Sequence, residues 1–255
     1  MRLQGWLVNG ECRNWGLEDA PLFSKSQAYY DALYGFKDYA AETARLCAVI
    51  DAHKRSPGNA LLDVACGTGA HIACLPERFA AEGCDLDAGM IEIARARNPG
   101  VTFHLADMTD FDLGRRFDVV VCLFSAVAYA GTLERLRAAV AAMARHVLPG
   151  GVLIVEPFFT PDDWEAGRTV TATFANEPEL KIARIAVPER DGSLVRFDFN
   201  YLVGTPAGVE HFIERHEVGL FTHEEYREAF TRLGLAVAYD EDWPSKRGLF
   251  IARMP

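Results

Sequence analysis

The chain has 255 residues, of which 50% are hydrophobic and 24% charged, so disordered and fibrous architectures are excluded and one large α/β domain with an insertion fits. The formal net charge of −10 argues against nucleic-acid binding, because such binding relies on Lys and Arg to neutralise phosphates. No stretch reaches the roughly 18 apolar residues that a bilayer span needs, so we expect a cytoplasmic protein without membrane contact.

The N-terminal part of the sequence predicts an unassigned arm followed by helices and a buried strand. Residues 1–20 show no clear period, and we assign them no fold. From residue 26, apolar residues recur at helical spacing with a break near Gly35, which predicts a short helix and then a longer one. The run ALLDVAC at 60–66 is typical of a strand buried on both faces of a parallel sheet, and the turn GTG follows it.

An alternation of strands and helices continues to residue 157. We predict strands near 83–86 and at 101–105, 117–124 and 151–157, with helices at 88–97 and 133–146. Strands that alternate with helices favour right-handed crossovers. The sequence therefore predicts a doubly wound, Rossmann-like α/β sheet.

The pattern changes to period-two strands from about residue 169 to residue 219. The segments TVTATF, LKIARIAV, LVRFDFNYLV and VEHFIERHEVGLF predict an antiparallel β insertion. A helix, HEEYREAFTRLG, and a terminal hairpin from LAVAYDED and RGLFIARMP then return to the first sheet. We therefore expect a cofactor-binding core at 21–160 and 220–255, with an insertion at 161–219 that binds substrate or forms a homodimer.

The motif LLDVACGTG at 61–69 carries the strongest local signal. Gly67 and Gly69 remove side chains where a ligand approaches the backbone, but the third glycine of a pyrophosphate-binding fingerprint is missing. Asp63 stands before this loop, and a carboxylate repels phosphates but accepts hydrogen bonds from an ammonium group. A cofactor with an amino-acid tail and no phosphate fits better than a dinucleotide.

Two further acids follow the next two strands. Asp85, with Asp87 as the alternative, can accept from both hydroxyls of a ribose, and Asp107 with Met108 suits an adenine amine and ring. Each acid also has a local interpretation: Asp63 as a loop cap, Asp85 as a helix cap and Asp107 as the start of a turn. Their joint order along the chain favours one adenosyl amino acid.

These motifs resemble the class I S-adenosylmethionine-dependent methyltransferases over residues 60–157. The resemblance implies S-adenosylmethionine as the cofactor and no metal, and it places CLFSAVAY, with Phe124, under the sulfonium. The other expected pocket residues lie beside the motifs or on the first helices: Tyr30, Tyr39, Ala65, Leu86 and Met90. Tyr30 and Tyr39 suit contact with the cofactor or packing between helices.

Beyond the core, the chain is similar to the N-methyltransferases of nucleotide-linked amino sugars in antibiotic biosynthesis, through YDALYGFKDYAAE, GGVLIVEPFF and PSKRGLF. This implies a dTDP-amino sugar as substrate. Arg247 is the best candidate for the pyrophosphate, and Arg184 and Arg196 on inserted strands are weaker ones that also suit solvated charges. EPFF replaces the family's EPWW, and IARIAVPE lacks a serine and histidine pair, so the sugar and its amino position stay open.

Residues after the fifth and fourth strands complete the expected substrate site. Glu156 ends the fifth strand, and Phe158 and Phe159 suit either stacking on a base or anchoring the insertion. We expect Tyr129 to orient the attacking amine, with a core tyrosine as the alternative, and His216 is the next candidate. Two other functions remain open: methylation of another small molecule at O or N, and silent binding of the cofactor.

Overall fold

The computed structural model describes residues 25–164 and 170–255. The predicted N-terminal arm at 1–20 and Thr169, the first residue of TVTATF, lie outside the described residues. Within the described ranges, no helix combines the length and apolarity that crossing a bilayer requires.

The elements follow each other in the order that the sequence predicts. The helices are α1 (Tyr30–Leu33), α2 (Tyr39–His53), α3 (Ala70–Ala73), α4 (Ala88–Arg97), α5 (Leu133–Arg145) and α6 (His223–Thr231). Short 3-10 turns cover Ser26–Tyr29 and Ala126–Ala130. The strands are β1 (Ala60–Val64), β2 (Ala80–Asp85), β3 (Thr102–Leu105), β4 (Phe117–Cys122), β5 (Val147–Val155), β6 (Thr171–Glu177), β7 (Leu180–Ala186), β8 (Glu189–Asp191), β9 (Leu194–Thr205), β10 (Gly208–Gly219), β11 (Val237–Asp240) and β12 (Leu249–Arg253).

The first sheet has seven strands in the order β11-β12-β5-β4-β1-β2-β3. Strands β1 to β5 pair in parallel, and β12 closes the sheet antiparallel to β5 with β11 as its hairpin partner. The doubly wound sheet and its terminal hairpin are therefore confirmed. Strands β2 and β3 lie on one side of β1 and strands β4 and β5 on the other, so the strand order reverses at β1. Open α/β sheets bind ligands beyond the strand ends at such a point.

Two apolar layers bury this sheet on both faces, which explains why its strands lack polar alternation. Leu62 and Val120 face the layer formed with α5 and α6. Leu61 and Val119 point to the opposite side, where Ile50 of α2 covers them. All five side chains are at most 1% exposed.

The insertion forms a second, antiparallel sheet in the order β10-β9-β7-β6, with β8 paired to β9. Its inner face packs against α1, where Leu33 contacts a cluster that includes Tyr201 and Phe212. Its other end packs through Trp164 and Phe197 against Ala128, which follows β4. The predicted insertion is confirmed.

The largest differences from the predicted strand starts lie in two strands. Strand β2 begins at Ala80 instead of residue 83, and β5 begins at Val147 instead of residue 151. The β5 pairing with β4 is irregular between Phe117 and Val119, and Gly150 has a left-handed φ of 73°. The start of β5 is therefore irregular and contains glycine, and for this reason the sequence did not predict its first residues as a strand. The single helical turn α3 after the glycine loop was not predicted.

Candidate active site

A cavity of about 770 Å³ lies beyond the carboxyl ends of β1, β2 and β4. One wall comes from the first sheet and a second from β7, β9 and β10 of the insertion. The third is the segment 25–37 before α2, here called the strap, which contributes Tyr30 and Tyr34. The volume lies in the range of roughly 300–1,000 Å³ that small-molecule sites occupy.

The glycine loop after β1 forms part of the floor. Ala65, Gly67 and Gly69 all adopt left-handed φ values, of 56°, 54° and 69°. A Cβ on Gly67 would meet no atom within 4 Å, so this glycine leaves the backbone open to the cavity. A Cβ on Gly69 would lie 2.7 Å from the Asn98 amide, on the side away from the cavity, so Gly69 serves the packing of the loop onto α4.

Asp63 lies on β1 beneath this loop and lines the cavity. Its side chain is buried, and its Oδ2 atom has no hydrogen-bond partner among the described residues. Burial raises the pKa of Asp63 to about 7, although the nearby His71 acts in the opposite direction. An orphaned, buried carboxyl group beside an open backbone fits a cationic ligand group such as an amino-acid ammonium.

Asp85 ends β2 and holds the glycine loop in place. Its Oδ2 accepts from the Gly67 amide at 2.8 Å, and its Oδ1 accepts from the Asp87 amide at 2.9 Å. Burial raises the pKa of Asp85, and these amides partly oppose the shift. Asp87 caps α4 by accepting from the Met90 amide at 2.9 Å, so Asp87 has a structural role. The oxygens of Asp85 have further lone pairs, which suit the hydroxyl groups of a ligand.

Asp107 follows β3 and also lines the cavity. Its Oδ1 accepts from the Thr109 amide at 2.8 Å, which is the turn that the local interpretation expected, and its Oδ2 pairs with Arg135 at 3.2 Å. Burial acts to raise the pKa of Asp107, but these hydrogen bonds outweigh it and lower the pKa. Asp107 is therefore an ionised acceptor at the cavity edge.

The remaining residues expected around the cofactor converge on this cavity. Those that line it are Tyr30, Tyr39, Ala65, Leu86, Met90, Met108 and Phe124. Tyr30 stacks obliquely against Tyr34 at 4.6 Å between ring centroids, and Tyr34 meets Phe124 edge-on at 5.1 Å. The sequence analysis missed Tyr34, whose helical position gave no sign that it faces a ligand site.

A buried ionic cluster that the sequence did not indicate supports this wall. Glu42 on α2 accepts from Lys37 of the strap and pairs with His71 Nε2, each at 3.0 Å. The Lys37 ammonium lies 3.6 Å from the centre of the Phe124 ring, which is a cation–π contact. His71 lies in α3 and lines the cavity beside Tyr39.

Tyr129 and His216 face each other across the junction of the two sheets. The Tyr129 hydroxyl lies 2.8 Å from His216 Nδ1, and both side chains line the cavity. Burial raises the pKa of Tyr129, so its hydroxyl stays protonated at neutral pH. Glu214, two residues before His216 on β10, also lines the cavity and was not predicted.

Arg184 places a guanidinium group in the cavity wall. It donates to the Tyr34 hydroxyl and to Thr173 Oγ1, each at 3.0 Å, and it stacks on Phe199 at 4.6 Å. No carboxylate of the described residues lies within 4.0 Å of it. A partly buried cation held by neutral groups is suited to an anionic ligand.

Arg247 lies in a different electrostatic setting. Its Nη2 donates to Glu156 Oε1 at 2.8 Å, and Glu156 Oε2 accepts from the Phe124 amide at 2.7 Å. Glu156 is buried and does not line the cavity, whereas Arg247 does. The best sequence candidate for a pyrophosphate contact is thus already neutralised by an acid.

Besides Glu156, two further predicted substrate residues do not line the cavity. Arg196 is exposed on β9 and pairs with Glu217 at 2.9 Å, so its local setting is that of a solvated strand-face charge. Phe159 packs against Phe158 and Trp164, with ring centroids 5.0 and 6.3 Å away. Phe158 lines the cavity, and this aromatic cluster joins the insertion to the core.

The described residues bring together no group of three or more His, Cys, Asp or Glu side chains that could hold a metal ion. The cavity is lined by Asp63, beneath the glycine loop, and by the guanidinium of Arg184. Tyr129 also lines the cavity, where the first sheet meets the insertion.

Comparison with known proteins finds relatives for the core and for nearly the whole chain. Residues 61–151 match the methyltransferase domain family. The chain is 42% identical over 216 residues to a dTDP-3-amino-3,6-dideoxy-alpha-D-glucopyranose N,N-dimethyltransferase from Streptomyces fradiae, which covers 84% of each protein.

Two solved structures show the same overall fold. DesVI from Streptomyces venezuelae superposes with a TM-score of 0.83 at 40% identity, covering 91% of this chain and 99% of DesVI. An amino pentose methyltransferase from Micromonospora echinaspora, solved with S-adenosylmethionine bound, superposes with a TM-score of 0.79 at 41% identity, covering 90% of this chain and 96% of that one.

Proposed function

Since this chain belongs to the S-adenosylmethionine-dependent methyltransferases, in the family that includes the dTDP-amino-sugar N,N-dimethyltransferases, we propose that it methylates the amino nitrogen of a dTDP-linked amino sugar. One observation carries this proposal. One cavity is lined both by an orphaned buried acid, Asp63, and by an unneutralised guanidinium, Arg184. These two groups suit a cationic methyl donor and a pyrophosphate-bearing acceptor.

S-adenosylmethionine, when bound, supplies a methyl group on a positively charged sulfur. The residues present fit it, because Asp63 offers a carboxyl group to the ammonium and Gly67 leaves room for the methionine part. Asp85 and Asp107 offer carboxylate oxygens to the ribose and adenine.

Tyr129 is proposed to orient the substrate amine. A methyl transfer of this kind proceeds when a neutral amine is aligned with the methyl carbon and water is excluded, so positioning is the main task of the protein. The protonated Tyr129 hydroxyl can donate to His216 Nδ1 and use its oxygen to accept an amine N–H. The amine lone pair then remains free to attack.

Arg184 is the proposed pyrophosphate residue, with Arg247 in second place. The guanidinium of Arg184 is held by two neutral oxygens, whereas Arg247 already pairs with Glu156. Phe158 is the aromatic residue that can contact the base from the cavity wall, while Phe159 and Trp164 support it from behind.

Binding of dTDP alone tests this assignment by calorimetry. We expect Arg184→Ala to weaken dTDP binding by about 10- to 100-fold, since a hydrogen bond to a charged group contributes roughly 1.5–3 kcal/mol. Arg196→Ala is the matched control, because it removes an exposed arginine from the neighbouring strand of the same sheet.

Turnover with a radiolabelled methyl donor and a panel of dTDP-amino sugars tests the reaction itself. The proposal expects labelled N-methyl sugar, and loss of turnover when the dTDP group is removed. Turnover of free small amines or alcohols without dTDP binding would support the alternative of another small-molecule methyltransferase. Cofactor binding with no labelled product would support a silent binding protein.

We also propose that a second copy of the chain covers the outer face of the insertion sheet. Phe174, Ile185 and Leu202 lie on three neighbouring strands of this face and are 67%, 41% and 51% exposed. Beside them, Arg196 pairs with Glu217 and Arg215 with Asp198, so the face is nearly neutral in a chain of net charge −10. A neutral, apolar face suits an identical copy better than a charged partner.

A further inference from the structure

Glu214 is a buried acid at the junction of the strap and the insertion. It lies on the inner face of β10 and is 4% exposed, and His216 on the same face is 2% exposed. Burial of a carboxylate is unfavourable unless hydrogen bonds compensate it. The positions of its two oxygens therefore show what this acid is bound to.

The first oxygen of Glu214 holds the start of the strap. Oε1 accepts from the Lys25 amide at 2.7 Å and from the Ser26 amide at 3.0 Å, where the first 3-10 turn begins. Burial acts to raise the pKa of Glu214, but the nearby His216 ring and the hydrogen bonds from the strap outweigh it and lower the pKa to about 2. The side chain is therefore a fixed anion at neutral pH.

The second oxygen of Glu214 faces the histidine that contacts Tyr129. Oε2 lies 3.8 Å from His216 Nε2, and the opposite ring nitrogen, Nδ1, lies 2.8 Å from the Tyr129 hydroxyl. A carboxylate near Nε2 favours the form of a neutral imidazole that carries its proton there. Nδ1 then has a free lone pair and accepts from the Tyr129 O–H.

Other polar groups also approach these three side chains. Arg184 on β7 and Tyr201 on β9 approach from the sheet, and Ser26 approaches from the strap. The Lys25 ammonium points outward, to Glu210 at 2.5 Å. Glu214 is thus the acid that biases His216 from the Nε2 side.

We infer that Glu214 is a positioning residue: it fixes the His216 tautomer, and His216 in turn points the Tyr129 hydroxyl so that its oxygen accepts from the substrate amine. The inference rests on the proposed function for the identity of that amine. The strap contributes by holding Oε1, which leaves Oε2 turned toward His216. Because Lys25 and Glu214 are 189 positions apart in sequence, this hydrogen bond forms only in the folded chain.

The first experiment reads the tautomer directly by ¹⁵N NMR of the histidine rings in the full chain, with S-adenosylhomocysteine added. We expect His216 to carry its proton on Nε2 in the wild type. In Glu214→Gln, the side-chain oxygen can still accept the strap amides, while the new amide N–H faces Nε2 and favours a proton on Nδ1 instead. A wild-type His216 protonated on Nδ1 would overturn the inference, and so would an unchanged tautomer in Glu214→Gln.

The matched control is Glu210→Gln, which makes the same substitution on the same strand. Glu210 pairs with the exposed Lys25 side chain, so its loss perturbs the strap without touching His216. We expect an unchanged tautomer and unchanged turnover in this control. A tautomer change in Glu210→Gln equal to that in Glu214→Gln would show a general effect of the strap and would contradict a specific role of Glu214.

The second experiment measures turnover with the best dTDP-amino sugar. We expect Glu214→Gln to lower kcat roughly 10- to 100-fold, since misplacing a reacting group by about 1 Å can cost on the order of 100-fold, while cofactor affinity stays unchanged. In a Tyr129→Phe background the same substitution should lower kcat no further, because Glu214 acts through the hydroxyl. Equal losses in both backgrounds would overturn the inference.

The two readouts separate this inference from the proposed function. If no amino sugar is methylated but the NMR result holds, the substrate assignment fails and the Glu214–His216–Tyr129 arrangement stands. If amino sugars are methylated and the tautomer is insensitive to Glu214→Gln, the function stands and the positioning role fails.

Discussion

Since Asp63 is the proposed contact of the cofactor's ammonium group, we expect its buried carboxyl group to make cofactor binding depend on pH. With a pKa of about 7 in the free protein, roughly half of the molecules carry the neutral acid at pH 7. An ammonium group placed beside it stabilises the charged form, so binding lowers the pKa and releases a proton. Affinity for S-adenosylmethionine should therefore rise as the pH increases from about 5 to 7, below the pKa near 7.8 of the ligand's own amino group.

Calorimetry in two buffers of different ionisation enthalpy measures this proton release. We expect about half a proton to be released at pH 7 by the wild type and none by Asp63→Asn. Asp85→Asn is the matched control at the next strand end: it should weaken binding but keep the proton release, because a ribose hydroxyl carries no charge. Equal proton release from Asp63→Asn and the wild type would remove Asp63 from the ammonium site.

The sequence predicts the position of a site residue when that position depends on the strand or loop to which the residue belongs. Asp63 and Asp85 could be predicted to line one cavity because each lies near the carboxyl end of a buried parallel strand, and such strand ends meet at one edge of a sheet. Arg247 could be named as a candidate, but its ion pair with Glu156 could not be predicted, because Glu156 lies 91 positions away in sequence. Glu214 could not be found, because its strap partner Lys25 is 189 positions away and only the fold brings the two together.

At the scale of elements, continuous apolar runs and period-two runs separated the two sheets correctly. Helix α6 was predicted from its amphipathic pattern, and the structure adds its capping box. Thr222 Oγ1 accepts from the Glu225 amide at 3.1 Å, and the Glu225 side chain accepts from the Thr222 amide at 2.8 Å. The short turn α3 gave no pattern, because four residues are too few for helical periodicity to appear.

The capping box lies at the start of α6, where the chain returns from the insertion to the core. Its removal should lower the stability of the fold without changing the residues that line the cavity. We expect Thr222→Ala to cost about 1 kcal/mol of unfolding free energy, or about 2–4 °C in Tm for a chain of this size. Glu224→Gln is the control, because it changes an exposed acid in the same first turn outside the capping box. A Tm for Thr222→Ala that matches this control would show that the cap contributes nothing to the fold.

At the scale of the whole molecule, the insertion has two different faces. Its inner face lines the cavity through Arg184 and His216, while its outer face exposes Phe174 and Leu202. Since successive residues of a strand point to opposite faces, Arg184 and the outward Ile185 are fixed by the same strand. Pairing of two copies through the outer face would therefore also stiffen the substrate wall.

Size-exclusion chromatography with light scattering tests this pairing. We expect a dimer for the wild type and a monomer for Leu202→Glu, because a charge in the centre of an apolar, isologous interface appears twice and faces apolar side chains without a partner. Leu233→Glu, which adds the same charge to an exposed leucine just after α6 and 43% accessible, should leave the dimer intact. The Leu202→Glu monomer should still bind S-adenosylmethionine with wild-type affinity, because Asp63 and Asp85 belong to the other sheet, whereas its dTDP affinity should fall as β7 loosens. A wild-type monomer across the concentration range, or a Leu202→Glu dimer, would show that the outer face has another purpose.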